Sequence, residues 1–142
     1  MLTIKGQSIS GLIAIAPLHV FHPFTPDVTR KEIKDTDTEV SRFITARDTA
    51  ATIMQKLHDQ ALSTSGADNA AIFETYRQLL AAPEFTNKTT GIIRSQKVNF
   101  EYAVKQVEEN YRQILASDNA AYASSSMADF SVVVNAAIEA LQ

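Results

Sequence analysis

The sequence predicts a mainly α fold, an antiparallel helical bundle preceded by one or two short strands. Three observations predict it. Chain breakers crowd one end: Pro17, Pro23, Pro26, Gly6 and Gly11 fall in the first 26 residues, and only Gly66, Pro83 and Gly91 interrupt the rest. A long stretch so poor in breakers favours helix. Through that stretch apolar residues recur at spacings of three and four, the period of a helix face. Residues that start helices stand ahead of the periodic segments.

Taken in order, Leu12 to Phe21 is a short apolar run bounded by turn residues, which predicts one or two strands. Residues 22–35 form a polar connector. Thr36 is the expected cap of a first long helix, with Glu39 as its reciprocal partner in a capping box. Val40, Phe43, Ile44, Arg47, Ala51, Met54, Leu57 and Ala61 then mark one face as far as Ser63. Such a helix runs for about 27 residues, roughly 40 Å, and needs another long helix beside it.

Ser65 and Asp68 repeat the capping signature, and Ile72, Phe73, Tyr76, Leu79 and Leu80 give a second helix a broad apolar face. Pro83 cannot continue that helix but suits the first turn of a third. There Phe85, Thr89, Ile92 and Ile93 face inward. Asn99 is the expected cap of a fourth helix, with Val98 and Ala103 as a hydrophobic staple and Ala103, Val107, Tyr111, Ile114 and Leu115 as its stripe. Ser117 or Asp118 starts a fifth, striped by Ala123, Met127, Phe130, Val134, Ala137, Ile138 and Leu141. Short links between long amphipathic helices favour antiparallel neighbours.

Composition narrows the function. The 142 residues suit one domain with a real core. A net charge of −3 argues against nucleic acid and anionic lipid as partners. The excess is one-sided: residues 1–64 hold seven acids and seven Lys/Arg, whereas residues 65–142 hold nine acids and six. A basic partner should prefer the second half. Cysteine is absent, which removes disulfides, thiolate nucleophiles and thiolate metal sites. No apolar run reaches the roughly 18 residues of a membrane span, and Met1 to Gly6 lacks the pattern of a secretion signal. A cytoplasmic location is expected.

Catalytic chemistry is sparse. His19 and His22, three apart near a strand, point to opposite faces, and no cluster of further ligands accompanies them, so no metal site is expected. His58 sits beside the apolar stripe of the first helix and reads as an ordinary helix-face histidine. The four glycines are scattered, so no phosphate-wrapping loop exists. Asp35/Asp37 and Glu108/Glu109 are expected to be solvated surface charges. Tyr76, Tyr102, Tyr111 and Tyr122 lie at helical spacing without a basic stripe, which favours packing over stacking on bases. Ser124-Ser125-Ser126 is expected to be a tolerant exposed helix turn.

A family resemblance covers essentially the whole chain. Asn69-Ala70-Ala71-Ile72-Phe73-Glu74-Thr75-Tyr76-Arg77-Gln78-Leu79-Leu80-Ala81-Ala82-Pro83-Glu84-Phe85 resembles the pattern E-A-I-F-E-x-H-x-x-L-L-x-D-x-E-L of enzyme I of the phosphoenolpyruvate-dependent sugar phosphotransferase system. Ser10 to Ala16 resembles its S-P-G-I-A-I-G, Glu39-Val40-Ser41-Arg42-Phe43 its E-V/I-x-R-F, and Asn99 to Val104 its N-A-E-Y-A-V/L. Asp118 to Tyr122 resembles D-D-E-Y, and Ala128-Asp129-Phe130 falls on A-D-I/L. The motifs occur in the family's order and spacing.

The resemblance implies that residues 1–34 hold a strand segment of an incomplete α/β phosphohistidine subdomain and a connector. Residues 35–142 would then form a helical subdomain of two hairpins that docks HPr, the small phosphocarrier. The Gly-rich segment with the phosphorylated histidine comes later in the family, and none of His19, His22 and His58 sits in it. No catalytic residue and no cofactor is therefore expected in this chain, magnesium and phosphoenolpyruvate belonging to the full-length transferase. HPr presents a basic, partly apolar face. Asp68, Ala71, Ile72, Leu79, Glu84 and Phe85 are the matching docking residues. Departures thin this patch: Ala82-Pro83 replaces common acids, Phe85 a leucine, Tyr76 a histidine, and Ser126 and Ser131 two arginines. The two lost arginines favour an alternative, a degenerate paralogue that self-associates, as a homodimer, in a structural or interaction role.

Overall fold

The computed structural model describes residues 25–116 and 120–141, with residue 3, and among them the side chains outside 115–126. Five helices follow in order: α1 (Thr36–Thr64), α2 (Ala67–Ala81), α3 (Pro83–Gln96), α4 (Phe100–Ala116) and α5 (Ala120–Glu139). The expected mainly α bundle is the observed one. The expected strands, His19, His22 and the Ser117/Asp118 cap lie outside the described residues. No described helix is long and apolar enough to cross a membrane.

α1 and α2 form the first hairpin, turned at Gly66, whose φ of 87° is in the region that favours glycine. α4 and α5 form the second, and α3 bridges the pairs after Pro83 opens it at its first position. Phe43 from α1, Phe85 from α3, Phe100 and Tyr111 from α4 and Phe130 from α5 make a continuous aromatic spine. Phe43 meets Phe85 edge-on at 5.8 Å, Phe85 meets Phe130 edge-on at 5.8 Å, and Tyr111 stacks on Phe130 at 4.9 Å. Each contact of this kind adds about 0.5–1.5 kcal/mol beyond area burial.

The helix starts differ from expectation. α1 is capped by Asp35, not Thr36: its carboxylate accepts from the backbone N–H of Asp37 and Thr38, both at 3.1 Å, and from the Thr38 hydroxyl. Both residue types cap well, and the aspartate accepts three donors at once. Glu39 is freed by this shift and turns away from its own helix. Its Oε1 accepts the Phe100 N–H at 2.8 Å, so α1 caps α4. Asn99 has its amide oxygen occupied by the Lys31 N–H at 2.8 Å and donates to the Thr29 carbonyl and to Glu101. It therefore ties down the connector instead of capping α4. α2 starts at Gly66 with no side-chain cap.

The buried faces also shift. α1 buries Glu39, Phe43, Ala46, Ala50 and Met54, while Val40, Ile44, Arg47 and Ala51 are half-buried. The reason is that α1 packs on two sides, against α2 and against α3, α4 and α5. Leu57, Ile114 and Leu141, expected inside, are exposed. Val104 and Val133, not expected, are fully buried.

Two polar networks staple the bundle. Arg42 reaches Glu101 at 2.6 Å and Glu39 at 3.1 Å and lies 4.7 Å from the Phe100 ring centroid. Glu108, expected on the surface, is buried because it is satisfied there: Lys105 donates to it at 2.8 Å and the Ser131 hydroxyl donates to it from α5. Burial pushes the Glu108 carboxyl up, but the bonds from Lys105 and Ser131 outweigh it and hold it below its ordinary range.

Candidate functional site

Four of the six expected docking residues belong to α2. Asp68, Ala71, Ile72 and Leu79 recur at helical spacing, so they share one face over about 16 Å of rise. Asp68, Ala71 and Ile72 are exposed, and Leu79 is half-buried against the core. At its lower end the stripe meets a cleft of about 50 Å³ lined by Leu79, Ala82, Glu84, Phe85, Lys88, Val107, Tyr111 and Phe130. The structure thus brings Leu79, Glu84 and Phe85 together, and sets Asp68, Ala71 and Ile72 above them.

Their environments differ. Glu84 stands in the first turn of α3, where a carboxylate complements the helix dipole. It is well exposed and accepts from Lys88 at 2.7 Å. Phe85 is only 4% exposed and forms the floor of the cleft within the aromatic spine. Asp68 has no ion-pair partner among the described residues. One turn above Leu79, the Tyr76 hydroxyl donates to Asp129 at 3.1 Å, tying α2 to α5. Burial, then the neighbouring Asp129, pushes the Tyr76 phenol up.

Sequence reasoning missed Lys88, Val107, Tyr111 and Phe130 as cleft residues. Lys88 could have been found, because it stands four after Glu84, within helical pairing distance. The other three reach the cleft from α4 and α5, which no local pattern announces. Ser131, at a position where the resemblance expects arginine, is spent internally on Glu108.

A second, larger concavity of about 420 Å³ lies between α1 and α5. Ile53, Leu57 and Val132 line it while 43%, 37% and 43% exposed. Among the described residues, no group of three or more His, Asp or Glu is placed to hold a metal ion. His58 is on α1, with Nδ1 3.0 Å from Asp59.

These features define a helical module that offers an acid-and-apolar stripe with a shallow cleft. The chain belongs to the family of PEP-utilising enzymes, N-terminal, whose model matches residues 5–125. It is 31% identical over 129 residues to the phosphoenolpyruvate-protein phosphotransferase of Bacillus subtilis (strain 168), covering 91% of this chain and 23% of that protein. It is also 31% identical over 121 residues to the same-named protein of Lactococcus lactis subsp. lactis (strain IL1403), covering 82% of this chain and 21% of that one. The NMR solution structure of an Enzyme I protein (nEIt) superposes with a TM-score of 0.77 at 25% identity, over 83% of this chain and 48% of that chain. The similarity is to the N-terminal domain of enzyme I. The chain spans about a fifth of the length of the curated relatives it matches.

Proposed function

We propose that this chain is the helical docking part of an enzyme I of the phosphoenolpyruvate-dependent sugar phosphotransferase system, working in the cytoplasm and binding HPr through α2 and α3. The carrying observation is the continuous stripe of Asp68, Ala71, Ile72 and Leu79 running into the cleft at Glu84. An apolar centre with acids at its edge suits a partner that presents an apolar patch with a basic rim. The charge imbalance of the second half supports the same choice, because rim charges steer encounter and set salt dependence. Phosphoryl transfer from phosphoenolpyruvate, with its magnesium, belongs to the longer transferase; this part needs no cofactor to dock.

The test is an NMR titration of labelled chain with unlabelled HPr from the same source. Shifts confined to α2, the Pro83 turn, α3 and the facing side of α5 are the expected result, and Glu84→Lys should weaken binding about 5- to 20-fold by setting a cation against the basic rim. No shifts at millimolar HPr would overturn the reading.

The α1/α5 concavity favours one other reading. Ile53, Leu57 and Val132 leave an apolar trough that a second copy could cover, as a paralogue retained for self-association would require. A mass by light scattering that doubles with concentration, and that Ile53→Asp abolishes, would select it.

A further inference from the structure

We propose that Lys88 is an internal competitor at the docking cleft, a residue that sets specificity by holding the acid a basic partner must reach. The inference rests on the docking reading above. Lys88 Nζ lies 2.7 Å from the Glu84 carboxylate and 5.9 Å from the centroid of Tyr111, a cleft-lining ring. One ammonium thus occupies the acid on the rim and leans over the apolar opening beside it. Asp68, the other acid of the stripe, carries no such cation among the described residues.

The consequence follows from chemistry. Lys88 engages one oxygen of Glu84, so a partner's cation must share that carboxylate with Lys88 or displace it, and an aliphatic side chain entering the cleft meets the Lys88 ammonium beside Tyr111. Docking then shares or exchanges that ion pair, so Glu84 contributes less net affinity than an unpaired carboxylate would. Lys88 also places positive charge where a basic partner arrives, which is a repulsive element of the kind that selects between partners.

The pair is solvent-exposed, with side-chain exposures of 42% for Lys88 and 68% for Glu84, so its worth is that of a surface ion pair. Removing it should tighten HPr binding by about two- to fivefold. The experiment is calorimetric titration of HPr into the wild-type chain, Lys88→Gln and Lys56→Gln. The last makes the same change in net charge at an exposed position of α1 that does not line the cleft. Thermal melting checks that both variants are folded. The expected result is tighter binding by Lys88→Gln than by Lys56→Gln, with the advantage shrinking in 0.5 M salt. Equal or weaker binding by Lys88→Gln, with wild type binding, overturns the competitor role and leaves docking intact. Binding by Lys88→Gln alone supports the role strongly. Silence from all three chains at millimolar HPr overturns the docking reading and this inference together.

Discussion

Arg42→Ala should be among the most damaging single changes in the bundle. Arg42 bridges Glu101 at 2.6 Å and Glu39 at 3.1 Å, and both acids are almost fully buried. Truncation leaves two buried carboxylates from α1 and α4 without their shared cation. It also removes the guanidinium from the Phe100 ring. Breaking a buried ion pair by removing one partner costs about 3–5 kcal/mol. The Arg42 side chain is 39% exposed, so water reaches the gap, and the Asn99 amide and the Phe100 N–H still bind the acids. The lower end applies, about 3 kcal/mol, which lowers the melting temperature by roughly 10 °C for a chain of this size. Urea denaturation followed by helical circular dichroism measures it. Adding Glu101→Gln should recover part of the loss, because one carboxylate no longer opposes the other. A cost below about 1 kcal/mol, or a double variant weaker than the sum of the two singles, would refute the view that Arg42 neutralises a buried pair of acids.

Two further changes test other parts of the reasoning. The Arg77 guanidinium, with Gln78, pulls the Glu74 carboxyl down to about 2 from 4.5. A folded value below the unfolded one gives stability that is present above pH 4.5 and lost as pH falls towards 2, so the urea midpoint of wild type should drop more over that window than that of Glu74→Gln. Asp35→Ala removes a cap that accepts three donors and should clearly lower the urea midpoint, whereas Thr36→Ala should change it little.

The helices were legible in the sequence because their signals are local. Pro83 opens α3 where its ring geometry predicts, and Thr89 and Ile93 follow Phe85 into the core at helical spacing. Faces were less legible. A stripe presumes one buried side, and α1 has two, so Ala46 and Ala50 are in the core while Leu57 is not. Charge placement was least legible. Glu39 looks like a reciprocal cap of its own helix, and only the approach of α4 turns it to the Phe100 N–H. Glu108 beside Glu109 looks like a solvated pair until Ser131 arrives from α5. The shared face of Asp68, Ala71, Ile72 and Leu79 on α2 could be read from spacing. The cleft could not, because Tyr111 and Phe130 enter it from elements far along the chain.

The two scales of the candidate site have different physical origins, and that difference bears on how the proposed docking would work. The floor of the cleft is rigid: Phe85 packs edge-on against both Phe43 and Phe130, and Tyr111 stacks on Phe130, so it cannot reshape without disturbing several helices. The rim is soft: Glu84, Lys88 and Asp68 are exposed, and the Glu84–Lys88 pairing costs little to exchange. A rigid apolar floor fixes where a partner sits, and a labile charged rim lets it leave. That combination would suit the proposed docking of a carrier that is bound and released repeatedly, because the exposed ion pairs at the rim add only modest, salt-tunable affinity to the apolar contact. With acids missing at Ala82-Pro83 and Glu84 already paired, most of the docking affinity would fall on the apolar stripe of α2. Substitutions at Ile72 and Leu79 should therefore weaken docking more than removal of either acid.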